Sequence, residues 1–161
     1  MKIFLFLIFF CNLCFADFRN VENFQSFIYD FSVSGGTSNT NIDFTTAVSG
    51  GKSLPSNAII TDVGIKVVTA FTSSSQKASI TIGNTTSSDG YLLAHDISEF
   101  TDNALFVGDG NLVYSTSASR PIMFLSDDTN DRNIVLKVTK GNPITAGKMV
   151  VFLKYFTPLV D

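Results

Sequence analysis

The sequence predicts an all-β protein, folded as an antiparallel β-sandwich of jelly-roll-like type. First, roughly seven to nine short apolar stretches follow one another, separated by clusters of Gly, Ser, Asn and Asp about every ten residues. Second, no helical apolar period extends over more than about three turns, which argues against α/β layering. Third, phenylalanine is abundant, with 16 residues in a chain of 161, which provides apolar material for one buried core.

The first half of the chain contains three predicted strands. Residues 23–33 are rich in aromatic side chains and end at a Ser-Gly-Gly-Thr loop, and residues 40–48 alternate apolar and polar side chains before a second Gly-Gly loop. Pro55 blocks strand extension after that loop. Residues 58–71 (AIITDVGIKVVTAF) form the strongest predicted strand, with a β-bulge expected at Gly64.

The second half has one helix candidate among further strands. Residues 91–100 (YLLAHDISEF) are the stretch whose apolar spacing suits a short helix. The turn Gly108-Asp109-Gly110-Asn111 predicts a hairpin, because Asp-Gly supplies the positive φ angles that tight turns need. The other predicted strands are residues 77–83, 105–107, 112–114, 121–125, 133–138 and 149–156.

The N-terminal segment has the order of a secretory signal peptide. Lys2 gives a positive start, residues 3–10 (IFLFLIFF) are an unbroken apolar run, and small residues end the segment at Ala16. We expect residues 1–16 to be a cleaved signal peptide and residues 17–161 to be a single β-sandwich domain; the alternative is a retained apolar N-terminal arm. The run is shorter than the roughly 20 residues of a spanning helix, so the mature chain is expected to have no membrane partner.

Composition and charge argue against nucleic-acid binding and against catalysis. The net charge is −3 and there is no run of Lys or Arg, so a nucleic-acid partner is not expected. His95 is the single histidine, and no nucleophile-elbow motif surrounds any serine. His95 and Glu99 would share one face of a helical turn, which predicts a surface or capping pair. The chain is therefore expected not to be an enzyme.

Two polar motifs and the tyrosines leave alternatives open. Asp127, Asp128 and Asp131 supply clustered carboxylates that suit a calcium ion, the one cofactor considered, but Asp and Asn also favour plain solvated turns. Asn84-Thr85-Thr86 fits the N-glycosylation acceptor pattern, which a chance match in a chain rich in Ser, Thr and Asn explains equally well. Four tyrosines can either stack on sugars or fill the core: Tyr29, Tyr91, Tyr114 and Tyr155.

Three stretches carry a resemblance to a known family. They are SLPSNAIITDVGIKVVTAF (residues 53–71), ASITIGNTTSSDGYLLAHDIS (residues 78–98) and NPITAGKMVVFLKYF (residues 142–156), each similar in the order of its strands, turns and aromatic ends. On these stretches the chain resembles the small β-rich structural proteins of tailed bacteriophages, of the head-decoration or fibre type. The resemblance implies a sandwich or jelly-roll-like fold displayed on the head or tail, and it implies no catalytic residue.

The leading hypothesis is a non-enzymatic virion structural or decoration protein that binds a capsid or tail lattice and displays its β-sandwich on the particle surface. Its expected partners are capsid or tail proteins and further copies of the chain, with a trimer as the first oligomer expected. The expected partner-binding residues lie in the aromatic segment, which is apolar on both faces and suits docking or strand exchange: Phe24, Phe27, Tyr29 and Phe31. The alternative is an exported carbohydrate-binding or adhesin-type module, secreted or on the cell surface.

Overall fold

A computed structural model of the chain describes residues 22–45, 53–74, 77–111, 124–126 and 132–157. Several sequence predictions fall outside these ranges. They are the signal segment, the predicted strand at 112–114, Tyr114, and the candidate calcium ligands Asp127, Asp128 and Asp131.

Strands dominate the described part of the chain, as the sequence predicted. Two short helical turns interrupt them, α1 at Phe31–Ser34 and a 3-10 turn at Ile97–Glu99. The strands are β1 Glu22–Asp30, β2 Asn41–Asp43, β3 Ala58–Ser73, β4 Ser79–Gly83, β5 Leu92–Asp96, β6 Leu105–Val107, β7 Phe124–Ser126, β8 Val135–Lys140 and β9 Ile144–Phe156.

The strands form two antiparallel sheets that pack as a sandwich. The first sheet has the order β1, β9, β3 and β6, with β7 also paired to β3, and the second has the order β2, β8, β4 and β5. The chain is wound as nested pairs, because β1 pairs with β9, β2 with β8, β3 with β6 and β4 with β5. Successive pairs alternate between the sheets, which is the winding of a jelly roll. The predicted fold class is confirmed.

Strand β3 shows how the alternation of side chains creates the core between the sheets. Val63 and Ile65 are buried, and the residues that alternate with them are more exposed. A β-bulge between Ile60 and Asp62 shifts the pairing with β9 by one residue. The inward and outward alternation of side chains continues on both sides of the bulge. The bulge predicted at Gly64 is wrong, because Gly64 pairs with β9 in regular register.

A line of aromatic rings crosses the core and joins the two sheets. The ring of Tyr29 lies 5.8 Å from that of Phe44 and is stacked on that of Phe71 at 5.5 Å. Phe100 follows at 5.4 Å from Phe71, and Phe106 at 4.6 Å from Phe100. Such ring pairs add specific contacts to the burial of apolar area, so they help to fix how the sheets are stacked.

The helix predicted at residues 91–100 is wrong. Leu92–Asp96 forms β5, and the 3-10 turn follows it. Leu92 lies opposite Ile82 of β4 and is fully buried. The ladder with β4 supplies backbone hydrogen bonds and apolar burial that an isolated helix of this length lacks, so sheet pairing overrides the helical spacing.

The remaining differences concern the ends of elements. The predicted strand 23–33 ends at Asp30, whose carboxylate caps α1 by accepting a hydrogen bond from the Ser32 N–H at 3.0 Å. In the predicted hairpin, the arm at 105–107 forms β6 and pairs with β3, and the other arm lies outside the described residues. Among the described residues, no helix is long and apolar enough to cross a membrane.

Candidate functional site

The outer face of the first sheet carries exposed apolar side chains. The exposed fraction is 73% for Phe24, 46% for Phe152, and 76% for both Leu105 and Val107. An antiparallel sheet with one solvated face normally presents polar side chains there. We call these four residues the apolar outer face. Exposed large apolar side chains grouped in this way mark a site of interaction.

Strand register brings these residues together from distant parts of the sequence. Phe152 on β9 lies opposite Gly64 on β3, and Gly64 lies opposite Val107 on β6. Residues directly opposite one another in a sheet point to the same face. Phe24 lies opposite Lys154, which is two residues from Phe152 and therefore on the same face. The apolar outer face thus extends across the sheet from β1 to β6, with its side chains on β1, β9 and β6.

A shallow hollow lies in the middle of the apolar outer face. Gly64 has no side chain, and no heavy atom lies within 4 Å of the position that a Cβ would take there. The hollow has a volume of about 240 Å³, and Phe24, Gly64, Val107 and Phe152 are among the residues that line it. A cavity of about 150 Å³ can hold benzene, so this hollow has room for a phenyl ring.

Ion pairs lie at the two ends of the same face. Lys154 Nζ is 2.9 Å from Glu22 Oε1, and Lys148 Nζ is 3.0 Å from Asp30 Oδ2. The hydrogen bond from the Ser32 hydroxyl, followed by the one from Lys148, lowers the pKa of Asp30, so this carboxylate stays charged. Lys154 and Asp62 also line the hollow, so this face combines exposed apolar side chains with charged groups.

The aromatic segment that was predicted to bind a partner is divided between the surface and the core. Phe24 is exposed, with Lys154 Nζ 5.9 Å from its ring centroid, and Phe31 is partly buried. Phe27 and Tyr29 are fully buried. The expectation of two apolar faces open to a partner is therefore corrected, because the inner face of β1 packs into the core. Docking through Phe24 and the exposed part of Phe31 stays a prediction.

The described tyrosines do not form a sugar-stacking surface. Tyr29 and Tyr91 are fully buried, and Tyr155 is 9% exposed. The Tyr29 hydroxyl donates a hydrogen bond to the Gly35 carbonyl oxygen at 2.6 Å, and burial, followed by the nearby charge of Asp30, raises the pKa of this phenol. Core filling accounts for these side chains, which removes the main feature expected of a carbohydrate-binding module.

His95 lies between two carboxylates at one edge of the sandwich. Its Nδ1 is 2.9 Å from Glu99 Oε2, and its Nε2 is 3.0 Å from Asp109 Oδ2. Each carboxylate also accepts a backbone N–H, Glu99 from Asp96 at 3.1 Å and Asp109 from Leu93 at 2.9 Å. The predicted contact between His95 and Glu99 therefore exists, although a strand and a turn create it. Both ring nitrogens face carboxylates, which leaves neither in position to activate a serine hydroxyl.

The charges around His95 favour its protonated form. Burial is the largest single influence and lowers the pKa of the imidazole, but the hydrogen bonds and charges of Glu99 and Asp109 together outweigh it and raise the pKa above the ordinary value of 6.5. The ring also packs edge-on against Phe106, with 5.3 Å between ring centroids. The cluster therefore joins β5 to the turn after β6 and is a structural contact.

The other candidate sites are not supported by the described residues. Asn84 is fully buried, and its side-chain oxygen accepts a hydrogen bond from the Ser87 N–H at 2.6 Å, so the glycosylation interpretation is corrected to a buried turn residue. In the described part of the chain, no group of three or more His, Cys, Asp or Glu residues could hold a metal ion. The calcium candidates Asp127, Asp128 and Asp131 stay a prediction.

Most of the apolar outer face was missed by the sequence analysis. Leu105 and Val107 alternate with Phe106, so the stretch is apolar on both sides of the strand. Phe152 lies in the continuous apolar run of β9, where Val151 and Leu153 are buried on the inner face. The available signal was the apolar run of residues 149–153, in which neither side of the strand is polar.

Comparison with solved structures identifies phage capsids that share this fold. The cyanophage Pam1 capsid asymmetric unit matches with a TM-score of 0.57 and 14% sequence identity, over 85% of this chain and 85% of that chain. The capsid of Ralstonia phage GP4 matches with a TM-score of 0.52 and 13% identity, over 86% of each chain. At this level of identity the similarity concerns the fold alone. No family model and no curated protein matches the chain.

Proposed function

We propose that this chain is a non-enzymatic structural protein of a virus particle, most directly of a bacteriophage, which binds a capsid or tail lattice. The observation that carries the proposal is the apolar outer face on a rigid jelly roll, with four large apolar side chains 46–76% exposed on neighbouring strands. Exposed apolar surface of this kind is normally covered by a partner. The two phage capsids with the same fold support a partner within a virion.

The two sheets suggest how the protein is oriented on the particle. The apolar outer face would be covered by another protein subunit within the particle. The second sheet presents Asn41, Asp43 and Lys137 on its outer side, and the first two of these are exposed. Polar side chains on this side suit the aqueous surface of a particle. The protein would therefore act as a decoration protein that displays its second sheet.

A role in binding also agrees with the chemistry of the chain. Its single imidazole, His95, is engaged by Glu99 and Asp109, and its described tyrosines fill the core. Neither group is presented to a substrate. We expect capsid or tail proteins as partners and a symmetric homo-oligomer on the particle.

Mass spectrometry of particles from the virus-producing source tests this function. If the proposal is correct, peptides of the chain, including its intact Met1, copurify with particles through a density gradient. Mild denaturant should then release the chain while the shell stays closed, because a decoration protein is bound to a lattice that is already complete. Recovery of the chain solely from the culture supernatant, starting at Asp17, would contradict a virion role and favour export.

A further inference from the structure

We infer that the apolar outer face binds the same face of a second copy of this chain, as a two-fold pair. The inference adds a binding partner to the proposed function. It rests on that function, because the virus particle is where copies of the chain would meet. Seven large apolar side chains are exposed among the described residues, and four of them lie on this one face. A two-fold contact needs one self-complementary patch, whereas a cyclic trimer needs two different patches on each copy.

The shape of the face is self-complementary. Phe24 protrudes from β1 with 73% of its surface exposed, and the hollow of about 240 Å³ lies beside Gly64 on β3. Phe24 forms one wall of the hollow, and Gly64 lies roughly 10 Å from it across the sheet, because one strand separates β1 from β3. A two-fold axis between them would place the Phe24 ring of each copy in the hollow of the other.

The charge of the face also favours a copy of this chain. Three carboxylates (Glu22, Asp30 and Asp62) and three ammonium groups (Lys66, Lys148 and Lys154) share the outer side of the sheet. Their sum is zero, although the whole chain carries −3. Two copies therefore meet here without the net repulsion that the rest of the surface would produce. A strongly charged partner, such as a nucleic acid or an anionic membrane, would gain no electrostatic attraction at this face.

The size of the face predicts a weak pair in isolation. Four strands spaced by about 4.8 Å, over a length of about 25 Å, give roughly 500 Å² on each copy and about 1,000 Å² in total. Stable complexes usually bury about 1,200–2,000 Å², so the pair is expected to form at high concentration and to be strengthened when copies are held together on a lattice.

Sedimentation equilibrium of the full chain up to about 0.5 mM tests the inference, with monomer–dimer association as the expected result for the natural sequence. Phe24→Ser removes the protrusion, and Gly64→Leu places a side chain in the hollow at a position where a Cβ meets no heavy atom within 4 Å. Each change should weaken association by at least about tenfold, because both act at the centre of the contact. Leu93→Ser, at a side chain 37% exposed on the second sheet, is the matched control and should leave association unchanged.

Thermal unfolding of the variants establishes that they are folded. Three results of the sedimentation experiment would overturn the inference. They are a natural chain that stays monomeric throughout, association that neither Phe24→Ser nor Gly64→Leu weakens, and a trimer in place of a dimer. Binding of the natural chain, but not of Phe24→Ser, to phosphatidylcholine vesicles would also overturn it, because the occupant would then be lipid. If the chain is found in particles but does not self-associate, the proposed function stands and this inference is wrong. If the chain self-associates but is absent from particles, the self-association stands and the proposed function is wrong.

Discussion

The two sheets of the sandwich differ in what their outer faces carry. On the first sheet, exposed Phe24 and Val107 lie on a surface that the described residues leave open. On the second sheet, Asn41, Lys137 and Thr81 lie in one cross-strand row. The Thr81 hydroxyl donates to the Lys137 carbonyl, and the Asn41 amide donates to the Thr85 carbonyl, both at 3.4 Å. The second face is therefore polar and bonded to its own chain.

The second outer face is also partly covered by its own chain. A Cβ at Gly83 would meet the Ser87 carbonyl oxygen and the Gly90 nitrogen, which shows that the turn after β4 packs directly on the strand. At Gly64, on the first sheet, a Cβ would meet nothing within 4 Å. The comparison teaches that an outer face takes its polarity from what covers it. The face that its own turn covers is polar, and the face on which Gly64 has open space carries exposed apolar side chains.

The largest expected effect is a difference in the free energy of unfolding between substitutions on the two faces of β1. Phe27→Ala should lower the free energy of unfolding by about 3–5 kcal/mol, because the buried ring leaves a cavity in the core. Phe24→Ala should change it by no more than about 0.5 kcal/mol, because its ring is exposed. Urea denaturation measures both values. Similar losses for the two variants would show that Phe24 is already covered within a single copy.

The next largest effect on the free energy of unfolding is expected at the two glycines on the outer faces. Gly83→Ala should destabilise the fold by roughly 2–4 kcal/mol, since the new methyl group displaces the turn that contains Ser87 and Gly90. Gly64→Ala should be neutral or stabilising by up to about 1 kcal/mol, because alanine loses less backbone entropy than glycine and nothing obstructs it. Urea midpoints of the two variants provide the test. A destabilising Gly64→Ala would refute the description of the first outer face as open.

A smaller effect concerns how the second sheet is closed after β2. The buried Thr45 hydroxyl oxygen accepts a hydrogen bond from the Ile134 N–H at 2.6 Å. Thr45→Val keeps the shape but leaves that N–H without an acceptor, so the free energy of unfolding should fall by about 1–3 kcal/mol. Thr45→Ser retains the oxygen and should cost clearly less. If valine and serine behave alike in thermal unfolding, the hydrogen bond contributes little.

The smallest effect is a pH dependence of stability at the edge between the sheets. The pKa of His95 is raised in the folded state, so its stabilising contribution is complete below the unfolded value of about 6.5 and is lost as the pH rises through the folded value. Because Glu99 and Asp109 are about half exposed, the contribution should be no more than about 1 kcal/mol, or about 2–4 °C in the melting temperature.

Thermal unfolding between about pH 6 and pH 8.5 measures this contribution. In His95→Gln, the melting temperature should fall less with rising pH than it does in the natural chain. Asp109→Asn should reduce it while keeping the acceptor for the Leu93 N–H. A decline that persists unchanged in His95→Gln would assign the pH dependence to other groups.

Local patterns predicted the strands well and the candidate site poorly. The long strand at residues 58–71 and the closing strand at 149–156 were predicted because alternation and length are properties of the segment itself. The segment 91–100 was assigned to a helix because its apolar spacing fits one, whereas its pairing with β4 involves residues outside the segment. The aromatic segment could not be divided into Phe24 outside and Phe27 inside, since apolar side chains point to both faces of that strand.

By itself, the sequence determined that this protein is all-β and that one core is buried between brief strands, because side-chain alternation and turn residues act over a few neighbours. The tertiary structure alone decided that β1 pairs with β9, that Asn84 is buried, and that the described part of one outer face carries exposed apolar side chains. These features depend on which surfaces meet across distant parts of the chain. Burial is a property of what packs against a residue, and no local pattern contains that information.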